Sequence, residues 1–302
     1  MLDSAQLAAL AAILRLGSFD AAAGALGVTP SAISQRLKAL EDRVGATLVN
    51  RGQPCTATPI GQRLAKHAED IALLEAQALA AARPTGGPAP RLRLAVPADV
   101  MATWLIPALA AVPDLMFDLV IDDQDTSDDW LRRGEVSAAV TGQSRAAPGC
   151  DIWSLGALRY CATASPDFVT RCFEQGVTAA SLACAPMLVF DAKDQLQHRW
   201  MMQKTGQRLG PPTHHLPSSH GFVTAACVGL GWGMNPEMLV AQDLTAGRLV
   251  ALDAEMPLDV PLYWQVTRIM APALAPLTAA IRHAATSALV PPQVQTTPPA
   301  PI

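Results

Sequence analysis

The apolar residues in the first sixty positions recur at helical spacing. Leu7, Leu10 and Ile13 lie three residues apart and predict a first amphipathic helix. Residues 18–41 predict two further helices joined by a tight turn at Gly27, because glycine readily takes the left-handed conformation that ends a helix. Together these helices predict a small N-terminal domain.

The last of these helices has two chemically different faces. Ile33, Leu37 and Leu40 form an apolar face that would pack on the other helices. The opposite face carries hydroxyl, amide and cationic groups, which a helix needs to read bases in the DNA major groove. Its candidate DNA contacts are Ser31, Ser34, Gln35, Arg36 and Lys38. The alternative is an ordinary helical hairpin with a solvated polar face.

Residues 44–59 predict a wing beside this helix pair. Two short extended segments flank a turn formed by residues 52–54, which read Gly-Gln-Pro. Arg51 and Thr58 in this segment are candidates for contact with phosphate or the minor groove. We therefore predict an all-α winged helix-turn-helix domain over residues 1–58.

A long uninterrupted helix is predicted over residues 59–83. Apolar side chains recur along it every three or four residues and include Leu64, Ile71 and Leu74. Such a stripe could belong to a core, but a helix between two domains has little core to join. We therefore predict that it pairs with a second copy of the chain. Residues 84–90, which contain three prolines and two glycines, predict a hinge.

The chain from 91 to 290 alternates between predicted strands and helices. Strands are predicted at 91–96, 116–122, 136–141, 188–191, 231–235, 248–252 and 261–267, and helices at 99–111, 127–133, 194–204, 218–228, 237–244 and 272–288. This alternation is typical of parallel sheets covered by helices. The proline-rich residues 291–302 are predicted to be disordered.

Candidate ligand-binding residues follow several of the predicted strands. In open α/β sheets, ligands bind beyond the carboxyl ends of strands and beside helix N-termini. Free amides at the start of a helix suit a carboxylate and aspartates suit an ammonium, so the set favours a zwitterion with an extra positive charge. The candidates are Ala98, Asp99, Thr103, Asp122, Asp123, Asp191, Ser218 and Ser219. The alternative is that Asp99 and Ser218 are helix caps and the acidic run is a solvated turn.

The composition and the charge distribution of the chain favour some classes of function over others. The chain has 302 residues, half of them hydrophobic, and a net charge of −4, although its first 66 residues are net basic and suit phosphate contacts. Its N-terminus does not resemble a signal peptide, and the uncharged stretch 221–236 is too short and too rich in glycine to span a membrane. We therefore expect a cytoplasmic protein without a membrane partner.

The sequence gives little support for an enzyme active site, a cofactor site or a metal site. The glycines at 229, 231 and 233 follow a predicted helix and enter a strand, which is the reverse of a dinucleotide site. His214, His215 and His220 have no acid or cysteine that completes a metal site, and we expect them in exposed loops. The six cysteines lack a C-x-x-C pair, and nothing near them is basic enough to lower a thiol pKa, so reduced, buried thiols are expected, with a redox-sensing pair as the alternative. We predict no enzyme activity, no cofactor and no metal.

Several runs of residues resemble LysR-type transcriptional regulators. They are Leu-x-x-Gly-Ser-Phe-x-x-Ala-Ala at 14–23, Thr-Pro-Ser-Ala-Ile-Ser-Gln-Arg-Leu-Lys-x-Leu-Glu at 29–41, and Gly45, Leu48, Arg51, Thr58 and Gly61. The resemblance implies a homodimer or homotetramer that pairs through the linker helix, binds a double-stranded DNA operator and contacts RNA polymerase. It also implies a periplasmic-binding-protein-like effector domain. Its subdomain I would cover about 91–162 and 268–290 and its subdomain II about 163–267, joined by crossing strands near 160–167 and 264–270.

The C-terminal half is similar to one branch of that family, the ArgP and LysG regulators. The similar runs include Ala-Asp-x-x-Ala-Thr-Trp-Leu at 98–105, Asp-Asp-Gln-Asp at 122–125 and Leu-Tyr-Trp at 262–264. This similarity implies a basic amino acid (lysine, arginine or histidine) as effector and control of an amino-acid exporter. Val100 stands where that branch is expected to have serine, which would remove a hydrogen bond to the effector and loosen selectivity. There are two alternatives. One is a LysR-type regulator of another pathway, and the other is a solute-binding or enzyme module whose N-terminal helices are incidental to its function.

Overall fold

The computed structural model of the chain describes residues 2–80, 89–122 and 127–291. Its N-terminal domain contains the helices α1 (Ser4–Leu16), α2 (Phe19–Leu26) and α3 (Pro30–Val44), followed by an antiparallel pair of short strands, β1 (Val49–Asn50) and β2 (Thr56–Ala57). The side chains of Leu10, Ile13, Ile33, Leu37 and Leu40 are fully buried where the helices meet. The predicted winged helix-turn-helix fold is confirmed.

Capping residues specify where α2 and α3 begin and end. The Ser18 hydroxyl accepts the Ala21 amide at 3.4 Å, and the Thr29 hydroxyl accepts the Ala32 amide at 3.2 Å. Each bond satisfies a backbone donor that has no partner inside its helix. Gly27 ends α2 with a φ of 63°, a conformation that is strained for residues with a Cβ. Local sequence therefore sets the turn that positions α3.

The helix α4 (Pro59–Ala80) connects the two domains and contacts both of them. Leu64 and Ile71 are partly buried against the N-terminal core. Leu73, only 4% exposed, and the partly buried Leu74 pack against the core of the C-terminal domain. The apolar stripe that predicts pairing with a second copy therefore also makes contacts within the chain. The predicted end of the helix at 83, most of the hinge 84–90 and the tail from 292 lie outside the described residues.

The C-terminal domain has two subdomains. The first contains β3 (Arg91–Val96), α5 (Ala98–Val100), a π-helical turn (Met101–Leu105), α6 (Ile106–Ala110), β4 (Met116–Ile121), α7 (Ser127–Arg132), β5 (Ala138–Thr141) and α13 (Ala275–Ala288). The second contains α8 (Pro166–Cys172), α9 (Ala179–Cys184), β7 (Met187–Val189), α10 (Leu196–Thr205), β8 (Thr213–His215), α11 (Ser219–Cys227), β9 (Gly233–Pro236), α12 (Glu237–Thr245) and β10 (Val250–Ala251). Two long strands, β6 (Cys150–Ala164) and β11 (Leu258–Thr267), run through both.

The main sheet is mixed rather than parallel throughout. Strands β10, β6, β11, β5, β3 and β4 are hydrogen-bonded in that order, and β9 also pairs with β6. Strand β3 is parallel to β4 and β5, and β7 is parallel to β8. Strand β6 runs from the first subdomain into the second and β11 runs back, so the two strands are antiparallel to each other. Both are also antiparallel to their other neighbours in the sheet.

The crossing strands begin earlier in the sequence than the resemblance implied. Tyr160 to Thr163 of β6 already pair with β9, so the second subdomain begins before residue 163. Tyr263 to Val266 of β11 pair with β5, so residues up to 267 do not all belong to the second subdomain. The register between β6 and β11 shifts between Leu262 and Tyr263, where β11 passes from one subdomain to the other.

Several elements are missing from the strands and helices that the sequence predicts: the long strand β6, of which the resemblance implied only the part near 160–167, and three short elements. Helices α8 and α9 and strand β8 are not predicted, since three to seven residues are too few to establish a period. His214 and His215 lie in β8 rather than in a loop, although both are exposed as expected. In the described part of the chain, no helix combines the length and the apolar character that crossing a bilayer requires.

Candidate functional site

The outward face of α3 carries the side chains that the sequence predicts for DNA contact. Ser31, Gln35 and Lys38 are exposed. Ser34 and Arg36 are partly exposed at the edges of the same face. The hydrogen-bonding groups thus lie on the surface that a recognition helix presents to the major groove, with the N-terminal part of the helix carrying the serines and the glutamine.

Arg51 extends this surface from the wing. Its guanidinium carbon lies 5.4 Å from the centre of the Phe19 ring, at the start of α2. A shallow concavity between the wing and α3 is lined by Arg51, Phe19 and Ser34. A cation held at this edge suits a backbone phosphate beside the groove, since phosphate contacts position a protein on the duplex.

Thr58 has a different role from the predicted one. Its hydroxyl donates to the Thr47 carbonyl oxygen at 2.9 Å and accepts the Gly61 amide at 3.1 Å. Thr58 therefore caps α4 and uses its hydroxyl proton within the domain. This geometry leaves no donor on the Thr58 side chain for a DNA phosphate.

A cavity of about 130 Å³ lies where the two C-terminal subdomains meet. It is similar in size to cavities of ~150 Å³ that hold a benzene-sized molecule, so it suits a small ligand. Its apolar wall includes Phe190, Phe222 and Met234. The predicted residues that line it are Ala98, Asp99, Asp122, Asp191 and Ser219.

Helix α11 points its N-terminus at this cavity. Ser218 accepts the amide of Gly221 with its hydroxyl and the amide of Phe222 with its carbonyl oxygen. Within the described residues, the amides of Ser219 and His220 are left without a hydrogen-bond acceptor. Unpaired amides together with the helix dipole favour an anion at this end of α11.

Asp99 is a partly buried acid that lines the cavity. The Tyr160 hydroxyl donates to its Oδ2 at 2.8 Å. Burial raises the pKa of the Asp99 carboxyl, and the nearby hydroxyls of Ser219 and Tyr160 counteract that rise. Ser219 Oγ is itself buried and makes no hydrogen bond of good geometry to any described residue. The cavity thus combines a partly buried acid with an unpartnered hydroxyl, a pair that a ligand with both donors and acceptors would satisfy.

Asp122 lies on the opposite side of the cleft, directly after β4. Trp130 Nε1 donates to its Oδ2 at 2.8 Å. Lys193, in the loop between β7 and α10, places its Nζ 3.0 Å from Oδ1. This ion pair joins the two subdomains at the edge of the cavity.

Two further acids shape that loop. Asp191 Oδ1 accepts the amides of Lys193 and Asp194 at 2.7 and 3.2 Å. The Asp194 carboxylate accepts the amides of Phe190 and Leu196 at 2.9 and 3.0 Å. Both acids line the cavity and add negative potential there, while their carboxylates also accept backbone amides of the loop.

Four of the predicted effector residues are not among the described residues that line the cavity. Val100 is fully buried in the hydrophobic core, so its apolar side chain does not face the ligand space. The Thr103 hydroxyl donates to the carbonyl oxygen of Asp99 at 2.6 Å and thus fixes the backbone of that residue. Ser218 is an exposed cap of α11. Asp123 lies outside the described residues.

The sequence prediction missed several residues of this site. Tyr160 reaches Asp99 across 61 positions of sequence, and Asn235, which lines the cavity, is held by the Thr163 hydroxyl at 2.9 Å. Asp194 also lines the cavity and is not among the predicted residues. No local pattern indicates Tyr160 or Asn235, because only the pairing of β6 with its neighbours brings them to the cleft. Asp194 does have a local signal, since it lies three residues after Asp191 and opens the helix predicted at 194–204.

A polar contact joins the linker helix α4 to the C-terminal domain. The Ser137 hydroxyl donates to Asp70 Oδ1 at 2.6 Å. Arg93 Nε lies 3.5 Å from Asp118 Oδ2 beside Glu69. Burial, reinforced by the charge of Asp118, raises the pKa of Glu69 to about 7, and Arg93 opposes that rise.

The cysteines are free thiols of differing exposure. Cys55 and Cys150 are buried, whereas Cys184 is exposed, which corrects the expectation that all six are buried. Burial raises the pKa of Cys161 to about 11. That thiol is therefore almost entirely protonated near neutral pH and is a poor nucleophile.

Comparisons with known proteins agree with this fold. The lysR family of bacterial regulatory helix-turn-helix proteins matches residues 4–62, and the LysR substrate binding domain matches residues 85–286. The transcriptional regulator LysG of Mycobacterium bovis is 46% identical over 288 residues, which cover 94% of each chain. The crystal structure of ArgP from Mycobacterium tuberculosis is 45% identical, with a TM-score of 0.79, and the match covers 97% of this chain and all of that one. The full-length LysG of Corynebacterium glutamicum with the effector arginine bound is 36% identical, with a TM-score of 0.66 over 96% of this chain and all of that one.

The two matches cover both the N-terminal and the C-terminal domain of the chain. Because the two matching regions cover most of the sequence in the order in which the structure shows the domains, the chain belongs to the LysR family of transcriptional regulators.

Proposed function

We propose that this regulator senses a basic L-amino acid, lysine or arginine and to a lesser degree histidine, and controls a gene for an amino-acid exporter or a related protein. The observation that carries the proposal is the composition of the cleft. One small cavity contains the N-terminus of α11 together with the carboxylates of Asp99, Asp122, Asp191 and Asp194. The LysG of Corynebacterium glutamicum, which was solved with arginine bound, supports it.

The chemistry of the cavity suggests how such a ligand is oriented. Its carboxylate would meet the amides of Ser219 and His220 and the unpartnered Ser219 hydroxyl. Its α-ammonium, one carbon away, would meet Asp99, which lies beside Ser219. The aliphatic stem would pass the apolar wall, and the side-chain cation would reach Asp122 across the cleft.

The N-terminal domain supplies the DNA-binding part of the proposal. We propose that the outward face of α3 reads operator bases through Ser31, Ser34 and Gln35, while Arg36, Lys38 and Arg51 contact phosphates. Two copies joined along α4 would read two half-sites about one helical turn apart. Effector binding in the cleft would change the relative position of the two DNA-binding domains and thereby the contact with RNA polymerase.

Calorimetric titration of the full-length chain tests the effector. We expect lysine and arginine to bind, histidine to bind more weakly, and leucine and glutamate to bind weakly or not at all. An Asp122→Asn change removes a charge-assisted contact of roughly 1.5–3 kcal/mol, which lowers affinity for the cationic ligands by at most about one to two decades, because the ion pair to Lys193 is lost as well. Tighter binding of leucine or glutamate than of lysine would contradict the proposal, since neither needs a second carboxylate.

A further inference from the structure

The cleft contains a cation of its own at the place assigned to the side-chain cation of the effector. We propose that Lys193 is an affinity-determining residue: its ammonium holds Asp122 in the ligand-free cleft, and the side-chain cation of the effector displaces it. The inference rests on the proposed function, because it concerns the same cleft and the same class of ligand.

The geometry of the ion pair supports this exchange. Lys193 Nζ lies 3.0 Å from Asp122 Oδ1, and the two residues belong to different subdomains. Asp122 is held in place by Trp130 at its other oxygen, and the Lys193 backbone amide is held by Asp191. The two partners therefore meet at a defined point on the edge of the cavity rather than through two freely moving surface chains.

The exposures of the two groups differ in a way that favours exchange at this point. The Lys193 side chain is 54% exposed, whereas that of Asp122 is 20% exposed. An ammonium that leaves Asp122 can return to water with little loss of hydration, while a carboxylate in this position benefits from a partner. A lysine effector replaces one alkylammonium by another, so the contact at Oδ1 is kept.

Such an exchange makes Lys193 an internal competitor of the effector. Cationic ligands bind more weakly than they would to an unpaired Asp122, because part of the new contact replaces an existing one. A ligand without a side-chain cation does not take up that contact and leaves the ion pair intact. The opposite role, a latch in which the pair closes the cleft over any ligand, predicts that loss of Lys193 weakens all binding.

The two roles are separated by calorimetric titration of full-length Lys193→Gln with L-lysine and with L-norleucine, which has the same chain without the ammonium. Displacement predicts that lysine binds about two- to fivefold more tightly than to the wild type, the range expected for losing a partly exposed ion pair, while norleucine is unaffected. Lys204→Gln is the matched control. It removes a similar pair, Lys204 Nζ to Asp253 Oδ2 at 2.6 Å, of which neither partner lines the cavity, whereas Asp122 does. It should leave both affinities unchanged.

The same titration in an Asp122→Asn background separates displacement from general charge repulsion. If Lys193 acts through Asp122, Lys193→Gln no longer changes lysine affinity in that background; a gain that persists there overturns the inference. Unchanged or weaker lysine binding by Lys193→Gln in the wild-type background also overturns it. If the wild type binds none of the basic amino acids, the proposed function fails and this inference with it, whereas failure of the Lys193 variants alone leaves the proposed function standing.

Discussion

The buried contact between α4 and the C-terminal domain makes the stability of the chain depend on pH through Glu69. This residue lies on the linker helix near Asp118, Asp70 and Arg93, and burial is the largest cause of its raised pKa of about 7. The ordinary value of a glutamic acid is 4.5. Replacing Glu69 with glutamine keeps the shape of the protonated side chain and removes the titration.

The direction of the effect follows from proton binding in the two states. Between about pH 4.5 and 7 the folded chain holds the Glu69 proton more tightly than the unfolded chain does, so folding becomes less favourable as the pH rises through this window. Above about pH 7 both states have released the proton, and this contribution becomes constant. The interval between 4.5 and about 7 corresponds to ~3 kcal/mol at most, and we expect roughly 1–3 kcal/mol because neighbouring charges and water readjust.

Urea denaturation at one fixed protein concentration measures this effect. At about pH 4, below both pKa values of Glu69, the free energies of unfolding of wild type and Glu69→Gln should be nearly equal, and by about pH 8 the variant should be more stable by the amount above. Glu75→Gln, an exposed position on the same helix, is the control and should follow the wild type throughout. Parallel curves for Glu69→Gln and wild type between these pH values would refute the reasoning.

Four further changes test the N-terminal domain and the start of α4. Gln35→Ala should lower affinity for a selected operator by ~1–3 kcal/mol while leaving binding to random DNA little changed, as measured by fluorescence anisotropy. Arg51→Ala should instead weaken both DNAs comparably and flatten the dependence of affinity on salt; loss of sequence preference alone would contradict a phosphate contact. Gly61→Ala places a Cβ 1.9 Å from the Leu48 carbonyl oxygen and should lower the unfolding free energy by ~1–3 kcal/mol, whereas Gly24→Ala, with open space around it, should raise it by up to ~1 kcal/mol. Thermal unfolding compares the last two, and equal melting temperatures would contradict the clash.

The sequence by itself determined those features that depend on neighbouring residues. Ser18, Gly27 and Thr29 bond to backbone groups within four positions, so the helix pair and its polar face follow from local chemistry. The strand β3 and the helix after it follow in the same way from hydrophobic periodicity. Ligands bind beyond the carboxyl ends of strands and beside helix N-termini, and this rule indicated that Asp99, Asp122, Asp191 and Ser219 would face one cavity.

Only the tertiary structure decided which groups meet across long separations. The pairs Tyr160–Asp99 and Lys193–Asp122 join residues 61 and 71 positions apart, and Ser137 meets Asp70 across 67. Val100, adjacent in sequence to Asp99, is turned into the core, because successive helical residues point about 100° apart and only one of the two can face the cleft. Hydrophobic periodicity indicates which side chains are buried, but it does not indicate which residues they pack against. The positions of the charges in the cleft and on α4 depend on that packing.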